Sequence, residues 1–295
     1  MNKTEIKRHR LSGFDLFNYA LMALIVVVML YPLYYVVVIS ISDSMQVAKG
    51  RVHWYPVGVD FAAYRRIFSN EQFMRSFLNT LLYTGVGTVI NLVMSMLCAY
   101  PLSRKDFPMN RFFSLMIIFT MYFSGGMIPM YILVMNLGMI DTMWALVIPG
   151  AISTYNVLVM RTFFLNIPEA LHEAAEIDGA SEFRKILSLV LPLSLPIMAT
   201  MTLFYAVDHW NSWFSAMIYL NTNSKYPVQL MVRNLVIEQG YGQYYYAGME
   251  NGEAEVAATT IQYAGIVVAT LPILILYPAL QKYFVKGVMI GSVKG

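Results

Sequence analysis

The run Phe17-Asn-Tyr-Ala-Leu-Met-Ala-Leu-Ile-Val-Val-Val-Met-Leu-Tyr-Pro-Leu-Tyr-Tyr-Val-Val-Val-Ile-Ser40 holds no charged residue over 24 positions. About 20 predominantly apolar residues cross a ~30 Å hydrocarbon core as a helix, so this stretch calls for lipid as its solvent. It is longer than the ~7–15 apolar residues of a cleavable leader, and no small-residue cleavage site follows, so it reads as a retained anchor. The rest of the chain agrees. Of 295 residues 58% are hydrophobic and 13% charged, against roughly 25% charged in a soluble domain.

Working outward, five more stretches have the same character: near Phe77–Tyr100, Phe113–Leu137, Trp144–Phe164, Leu195–Tyr219 and Thr260–Phe284. The expected fold class is an all-α integral membrane protein, one domain over residues 1–295 with six transmembrane helices. Pro32, Gly125-Gly126, Pro129, Pro149-Gly150 and Pro272 interrupt the spans. Such breaks survive in lipid where neighbouring helices or water satisfy the freed backbone groups. Basic residues near the helix ends set the orientation. Twelve fall on the side of the N-terminal cluster Lys3, Lys7, Arg8 and Arg10, and seven on the other. Both termini are therefore expected in the cytoplasm. Two longer segments, Ile41–Ser76 and Leu220–Thr259, are then outside and could meet a partner.

Several functions are excluded. The one cysteine, Cys98, can form neither an intrachain disulfide nor a metal cluster. The net charge of +3 is spread along the chain with no nucleic-acid-binding stripe. The four histidines are scattered and lack His-Glu-x-x-His spacing, so neither a catalytic residue nor a metal site is expected. No Gly-x-x-x-x-Gly-Lys-Ser/Thr loop cradles phosphates, so no cofactor is expected on this chain. No repeat suggests a self-contained secondary transporter.

The loop at 166–192, before the fifth span, is the most informative: Asn166-Ile-Pro-Glu-Ala-Leu-His-Glu-Ala-Ala-Glu-Ile-Asp-Gly-Ala-Ser-Glu-Phe-Arg-Lys-Ile-Leu-Ser-Leu-Val-Leu-Pro192. Pro168 suits a first helical turn. Glu169, Glu173 and Glu176 repeat at spacings of four and three, which stacks them on one face. Leu171, Ala174, Ala175 and Asp178 form a flank whose small residues allow close approach. Gly179 is placed to end the helix in a left-handed conformation, and Ser181 to cap the next helix. The pattern fits a docking element for a basic-rimmed cleft on a cytoplasmic protein. It equally fits an ordinary solvated helix.

The run Glu173-Ala174-Ala175, three residues, Gly179, then Leu191-Pro192 resembles the EAA motif of ABC-importer permeases. With Asp178-Gly179-Ala180 and the Pro192–Pro196 pair, it is similar to carbohydrate permeases of the maltose-transporter type. Tyr64-Arg65-Arg66-Ile67-Phe68, Asn79-Thr80, Trp210-Asn211 and the Lys286-Gly287 to Lys294-Gly295 tail extend the resemblance over essentially the whole chain. It looks most like the branch that imports complex oligosaccharides, including acidic uronate-type sugars. The resemblance implies a type I permease fold in the bacterial cytoplasmic membrane. It also implies a second homologous permease, two ATPase subunits that bind ATP and Mg, and an external solute-binding protein. The helix carrying Glu169, Leu171, Glu173, Ala174, Ala175, Glu176, Asp178 and Gly179 would dock on the ATPase. The same class with an amino acid, peptide or phosphonate cargo is the alternative, and a stand-alone channel or an intramembrane enzyme a more distant one.

Polar residues at membrane depth are costly and often functional. Asn91 is central in the second span, Tyr155 and Asn156 in the fourth, and Asp208, His209, Asn211 and Trp213 in the fifth. Amides, an acid and aromatic faces suit a sugar path; hydrogen bonds between helices are the competing reading. For an anionic substrate Asp208 needs a partner, either His209 or a base from a partner chain. Asp208 and Asn211 are expected to share one helix face, as are Trp210 and Trp213.

Overall fold

The computed structural model describes residues 12–237 and 251–292, with side chains in the last helix at 257–276 and 278. The N-terminal basic cluster, the Tyr- and Gly-rich stretch around 240–248 and the terminal Lys294-Gly295 lie outside the described residues. Among the described residues every regular element is helical, beside one isolated bridge between Ser42 and Val59. The chain divides into two compact units, Met1–Ile67 with Tyr244–Val267, and Phe68–Gln243 with Val268–Gly295.

In the first unit, α1 (Gly13–Ser40) starts at a reciprocal cap: the Ser12 hydroxyl accepts from the Phe14 N–H, and the Asp15 carboxylate from the Ser12 N–H. The helix runs unbroken through Pro32. Most of its apolar surface is exposed, and only Val38, Ile39 and Ser40 at its end are buried. That end packs on Val52, with Tyr35, Val47, Val57 and Tyr263 around it. The short α2 (Ser44–Ala48) is capped by Asp43. The hydroxyls of Ser40 and Tyr64 meet at 2.7 Å, placing the start of α3 (Ala62–Ser69) against the base of α1.

The second unit is built around α4 (Glu71–Ser103), 33 residues long. Small and polar residues on one side, Ser76, Thr80, Gly87, Thr88, Asn91, Ser95 and Ala99, are buried and let other helices approach closely. Its neighbours are α12 (Leu195–Asn211), which packs along it most extensively, and α8 (Thr154–Phe164). Met96, Tyr100, Val157, Met160, Phe164, Ile186, Val190, Ile197, Met201 and Tyr205 form the core.

Among the described residues, three helices are long and apolar enough to cross a membrane alone, and five spans result if each bent pair counts once. The third expected span is such a pair: α5 (Asn110–Tyr122) and α6 (Met127–Asn136) meet at 113°. Gly126, at φ +85°, supplies the left-handed residue that lets the chain turn there. The fourth expected span is not a continuous helix. It consists of α7 (Trp144–Val147), a break through Pro149-Gly150, and α8, whose 11 residues reach only about 16 Å. The fifth is also shorter than expected, because Ser212 is extended and ends α12 before Trp213. Trp210 is buried and Trp213 exposed, so the two do not share a helix face. Beyond it lie α13 (Phe214–Tyr219), a 3-10 turn (Asn223–Lys225) and α14 (Val228–Ile237). The last helix, α15 (Asn251–Ser292), continues through Pro272 and Pro278. Proline removes one hydrogen bond, yet a long apolar helix in lipid has no better place for its other backbone groups than the helix itself.

The segment between α13 and α14 is tied down. Asp141 accepts from the backbone N–H groups of Asn221 and Thr222, and from the Thr222 hydroxyl and the Lys225 ammonium at 2.7 and 2.6 Å. The hydrogen bonds from Lys225 and Thr222 hold its carboxyl far below the usual carboxylate range. From α4, Asn79 donates to the Ser224 and Tyr226 carbonyls, Tyr83 to the Lys225 carbonyl and Gln72 to that of Asn223.

Candidate functional site

The loop before α12 folds as its sequence suggests at its ends. A nine-residue helix, α9 (Glu169–Ile177), begins at Pro168, whose extended backbone makes it the cap rather than a first-turn residue. The helix closes with a Schellman motif: the Gly179 N–H donates to the Glu176 carbonyl, and the Ala180 N–H to the Ala175 carbonyl, both at 2.9 Å. Gly179 sits at φ +71°, where a side chain is strained. Ser181 then caps α10 (Glu182–Lys185), its hydroxyl accepting from the Arg184 N–H. A π-helical turn over Ile186–Val190 and α11 (Leu191–Leu193) follow, and the chain bends by 86° into α12.

The faces of α9 are arranged unexpectedly. Spacing stacks Glu169, Glu173 and Glu176 on one face, but the structure divides that row: Glu169 and Glu176 turn toward buried cations while Glu173 is exposed. The Arg104 guanidinium lies 2.8 Å from Glu169 and 3.8 Å from Glu176. Lys185 reaches Glu176 at 2.6 Å and Glu182 at 2.5 Å. The Tyr100 hydroxyl donates to the other Glu182 oxygen at 2.7 Å. The side chain of Lys185 is only 2% exposed and that of Arg104 only 11%, so both cations sit beneath their carboxylates. A buried cation without partners is prohibitively costly, and these pairings are what allow the site to exist. Between them lies His172, buried beside the Tyr100 ring, its Nδ1 without a hydrogen-bond partner. Burial, aided by the nearby Arg104 charge, pushes His172 below its usual range and keeps it neutral.

The opposite side of α9 carries Ala170, Leu171, Ala174, Ile177 and Asp178, all exposed. Ile177 is 86% exposed, and Phe183 beyond the glycine is exposed as well. Glu173 is exposed on the flank, while Ala175 is half-buried. The helix therefore turns Glu169 and Glu176 toward its own protein and presents outward a mostly apolar face, with Glu173 and Asp178 at its edges. Sequence reasoning did not single out Arg104, Lys185, Tyr100 or Glu182. The two cations bear there only on orientation: Glu169 is distant in sequence from Arg104, and nothing in the local sequence marks Lys185 as buried.

The intramembrane polar residues divide. Asn91 is buried; its amide nitrogen donates to the Gly150 carbonyl at 2.7 Å, satisfying a backbone group freed by the α7–α8 break. Its oxygen meets His209 Nε2 at 2.5 Å. Gly87 makes room for that imidazole, since a Cβ there would run into the ring. His209 thus pairs with Asn91 rather than with Asp208. Asn156 is buried near the start of α8. Asp208 and Asn211 are both exposed on one side of α12, as expected, and the Asn211 amide donates back to the Val207 carbonyl. Tyr155 is exposed, and Trp213 stands outside α12 with the Arg233 guanidinium 5.3 Å over its ring. Among the described residues no group of three or more His, Cys, Asp or Glu could hold a metal ion.

Comparison with known proteins accords with this architecture. The polygalacturonan/rhamnogalacturonan transport system permease protein YtcP of Bacillus subtilis (strain 168) is 39% identical over 288 residues, covering 96% of this chain and 98% of its own. Protein LplC of the same organism is 38% identical over 282 residues, covering 96% and 95%. Among solved structures, a bacterial ABC transporter involved in the import of the acidic polysaccharide alginate has a chain that matches with TM-score 0.84 and 33% identity. The match covers 92% of this chain and 96% of that one. The family described as binding-protein-dependent transport system inner membrane component matches residues 14–290. This chain belongs to that family of ABC-importer permeases, and its role is transport.

Proposed function

We propose that this chain is one of two permease subunits of a bacterial importer for acidic, uronate-containing oligosaccharides, powered by ATP hydrolysis on separate subunits. The observation that carries the mechanical part is the outward face of α9. Leu171, Ala174 and Ile177 are exposed on a helix whose charged side is already engaged within the chain. An apolar face of small residues is complementary to a groove on another protein, and the partner proposed is the ATPase subunit. Glu169, Glu173, Glu176, Ala175, Asp178 and Gly179 complete the docking element, with Glu169 and Glu176 acting from beneath to set its position. In this reading α9 faces the cytoplasm of a bacterial cytoplasmic membrane, and both termini lie there too. Counting α5–α6, α7–α8 and the bent α10–α12 as broken crossings gives six.

The substrate class rests on the relatives: the named cargo of YtcP and of the structural neighbour is an acidic polysaccharide. Exposed Tyr155, Asp208, Asn211 and Trp213 are the groups proposed to line the path, with Arg233 over Trp213 as a cation able to meet a carboxylate. Asn91, His209 and Asn156 support that path from within the helix packing. The partners proposed are a homologous permease, two ATPases and an external solute-binding protein.

A tagged pull-down from native membranes in mild detergent tests the assembly. Recovery of an ABC ATPase and a second permease is expected, followed by ATP-dependent uptake of labelled oligogalacturonate in liposomes loaded with the complex and its binding protein. Recovery of the chain alone after cross-linking overturns the assembly. Transport of neutral but not acidic oligosaccharides overturns the substrate class.

A further inference from the structure

We propose that Arg104 is the joint through which movement of α9 reaches the membrane helices, a positioning role that rests on the docking function proposed above. The covalent routes out of α9 are compliant. Toward α12 the chain passes the Gly179 turn, a π-helical segment over Ile186–Val190 and an 86° bend. A π segment is a local irregularity of the helix, often placed at functional sites. Toward α8 it passes the non-helical stretch at 165–168.

The route through Arg104 is stiff. Arg104 is the C-cap of α4, a single unbroken helix that packs along both α12 and α8. Its guanidinium binds Glu169, the first residue of α9, at 2.8 Å and faces Glu176 in the last turn at 3.8 Å, so one side chain sets its charge against both ends of the helix. Its Nε is also fixed, by Asp106 at 3.3 Å. A single attachment would let α9 pivot, whereas two set its orientation. The planar fork of arginine can serve several carboxylates at once, and a lysine ammonium on its flexible stem holds orientation less well. A second line runs in parallel: Glu176 binds Lys185, Lys185 binds Glu182, and Glu182 accepts from Tyr100, back on α4. On the α8 side, Arg161 Nε donates to the Leu102 carbonyl at 2.7 Å, bracing the same end of α4. A push on the exposed face of α9 is thereby delivered to α4, and through its packing to α12 and α8.

The test compares Arg104→Gln, Arg104→Lys, Arg104→Glu alone and the charge exchange Arg104→Glu with Glu169→Arg, each in the full complex reconstituted in liposomes. ATP hydrolysed and oligogalacturonate imported are both measured, with subunit composition checked by mass. For Arg104→Gln, import per ATP is expected to fall about tenfold, within the ~5–150-fold range of an energetic coupling, while the subunits stay assembled. Arg104→Lys should lie between, and the exchanged pair should recover import per ATP relative to Arg104→Glu alone. An unchanged ratio in Arg104→Gln overturns the proposal. So does parallel loss of assembly, hydrolysis and import without rescue by the exchange, which marks a purely structural residue. A wild-type complex that hydrolyses ATP without importing any sugar instead counts against the function proposed above, so the two failures are distinguishable.

Discussion

The burial of Lys185 leads to an asymmetry that a pair of variants exposes. Its side chain is 2% exposed, whereas those of its partners Glu176 and Glu182 are 50% and 63% exposed. Replacing both carboxylates, Glu176→Gln with Glu182→Gln, leaves an ammonium buried with no countercharge. Breaking a buried pair in this way costs about 3–5 kcal/mol. Replacing the lysine, Lys185→Met, leaves no buried charge. The stranded carboxylates are hydrated; Glu176 still faces Arg104, and Glu182 still accepts from Tyr100. The cost there is one hydrogen-bonded contact each, about 1–2 kcal/mol together. At roughly 2–4 °C per kcal/mol, the double glutamine variant should lose about 6–20 °C and Lys185→Met about 2–8 °C.

The assay is heating of the detergent-solubilised complex at one fixed rate, reading the surviving monodisperse fraction by fluorescence-detected size exclusion. Midpoints at a common rate are comparable even though unfolding is irreversible. Adding Lys185→Met to the double glutamine variant should recover most of the loss, because no cation then remains to be stranded. A Lys185→Met variant as damaged as the double, or a triple variant no better than the double, would falsify the account of this cluster as a buried cation held by half-hydrated acids.

Three further outcomes are expected. Gly179→Val should lower import per ATP while the chain remains in the membrane. A Cβ at Gly179 meets nothing within 4 Å, so the strain is purely that of φ +71°, about 1–2 kcal/mol; Gly179→Asn, whose side chain tolerates that region, should stay near wild type. Gly87→Ala should lower the thermal midpoint by displacing the His209 ring from Asn91, whereas Gly85→Ala, whose added Cβ meets nothing within 4 Å, should not; equal effects would remove the special role of Gly87. Acidification should weaken the native complex through His172. Its folded pKa lies below the ordinary 6.5, so the unfolded chain takes up the proton first. Its contribution is full above that value and is lost as the pH falls below it. His172→Phe should flatten this part of a midpoint-against-pH profile, and an unchanged slope would assign the dependence to other groups.

Much of this architecture could be read from the chain, and the failures have a common cause. Long apolar runs find α1 and α4 because lipid leaves a backbone no option but the helix. The same local signal cannot rank the breaks. Pro32 and Pro101 sit inside continuous helices, while Gly125-Gly126 and Pro149-Gly150 end them. What decides is whether something nearby receives the freed groups, as Asn91 does for the Gly150 carbonyl 59 residues away. Gly179 was legible because a Schellman turn is wholly local. The pairing of Arg104 with Glu169 was not, since it depends on the end of α4 arriving beside the start of α9. Most instructive is the polarity of α9. Spacing placed Glu169, Glu173 and Glu176 on one face, but could not say which of them turn toward the protein, and Glu173 does not. The usual expectation for a surface helix is apolar side inward. Here Glu169 and Glu176 turn toward Arg104 and Lys185, adding to the countercharge that Asp106 and Glu182 supply, and Ala170, Leu171, Ala174 and Ile177 are left facing out. In the isolated chain such an inversion has a cost, because it exposes apolar surface that could have been buried. It becomes favourable where another protein covers that face, as the docking proposed for α9 requires.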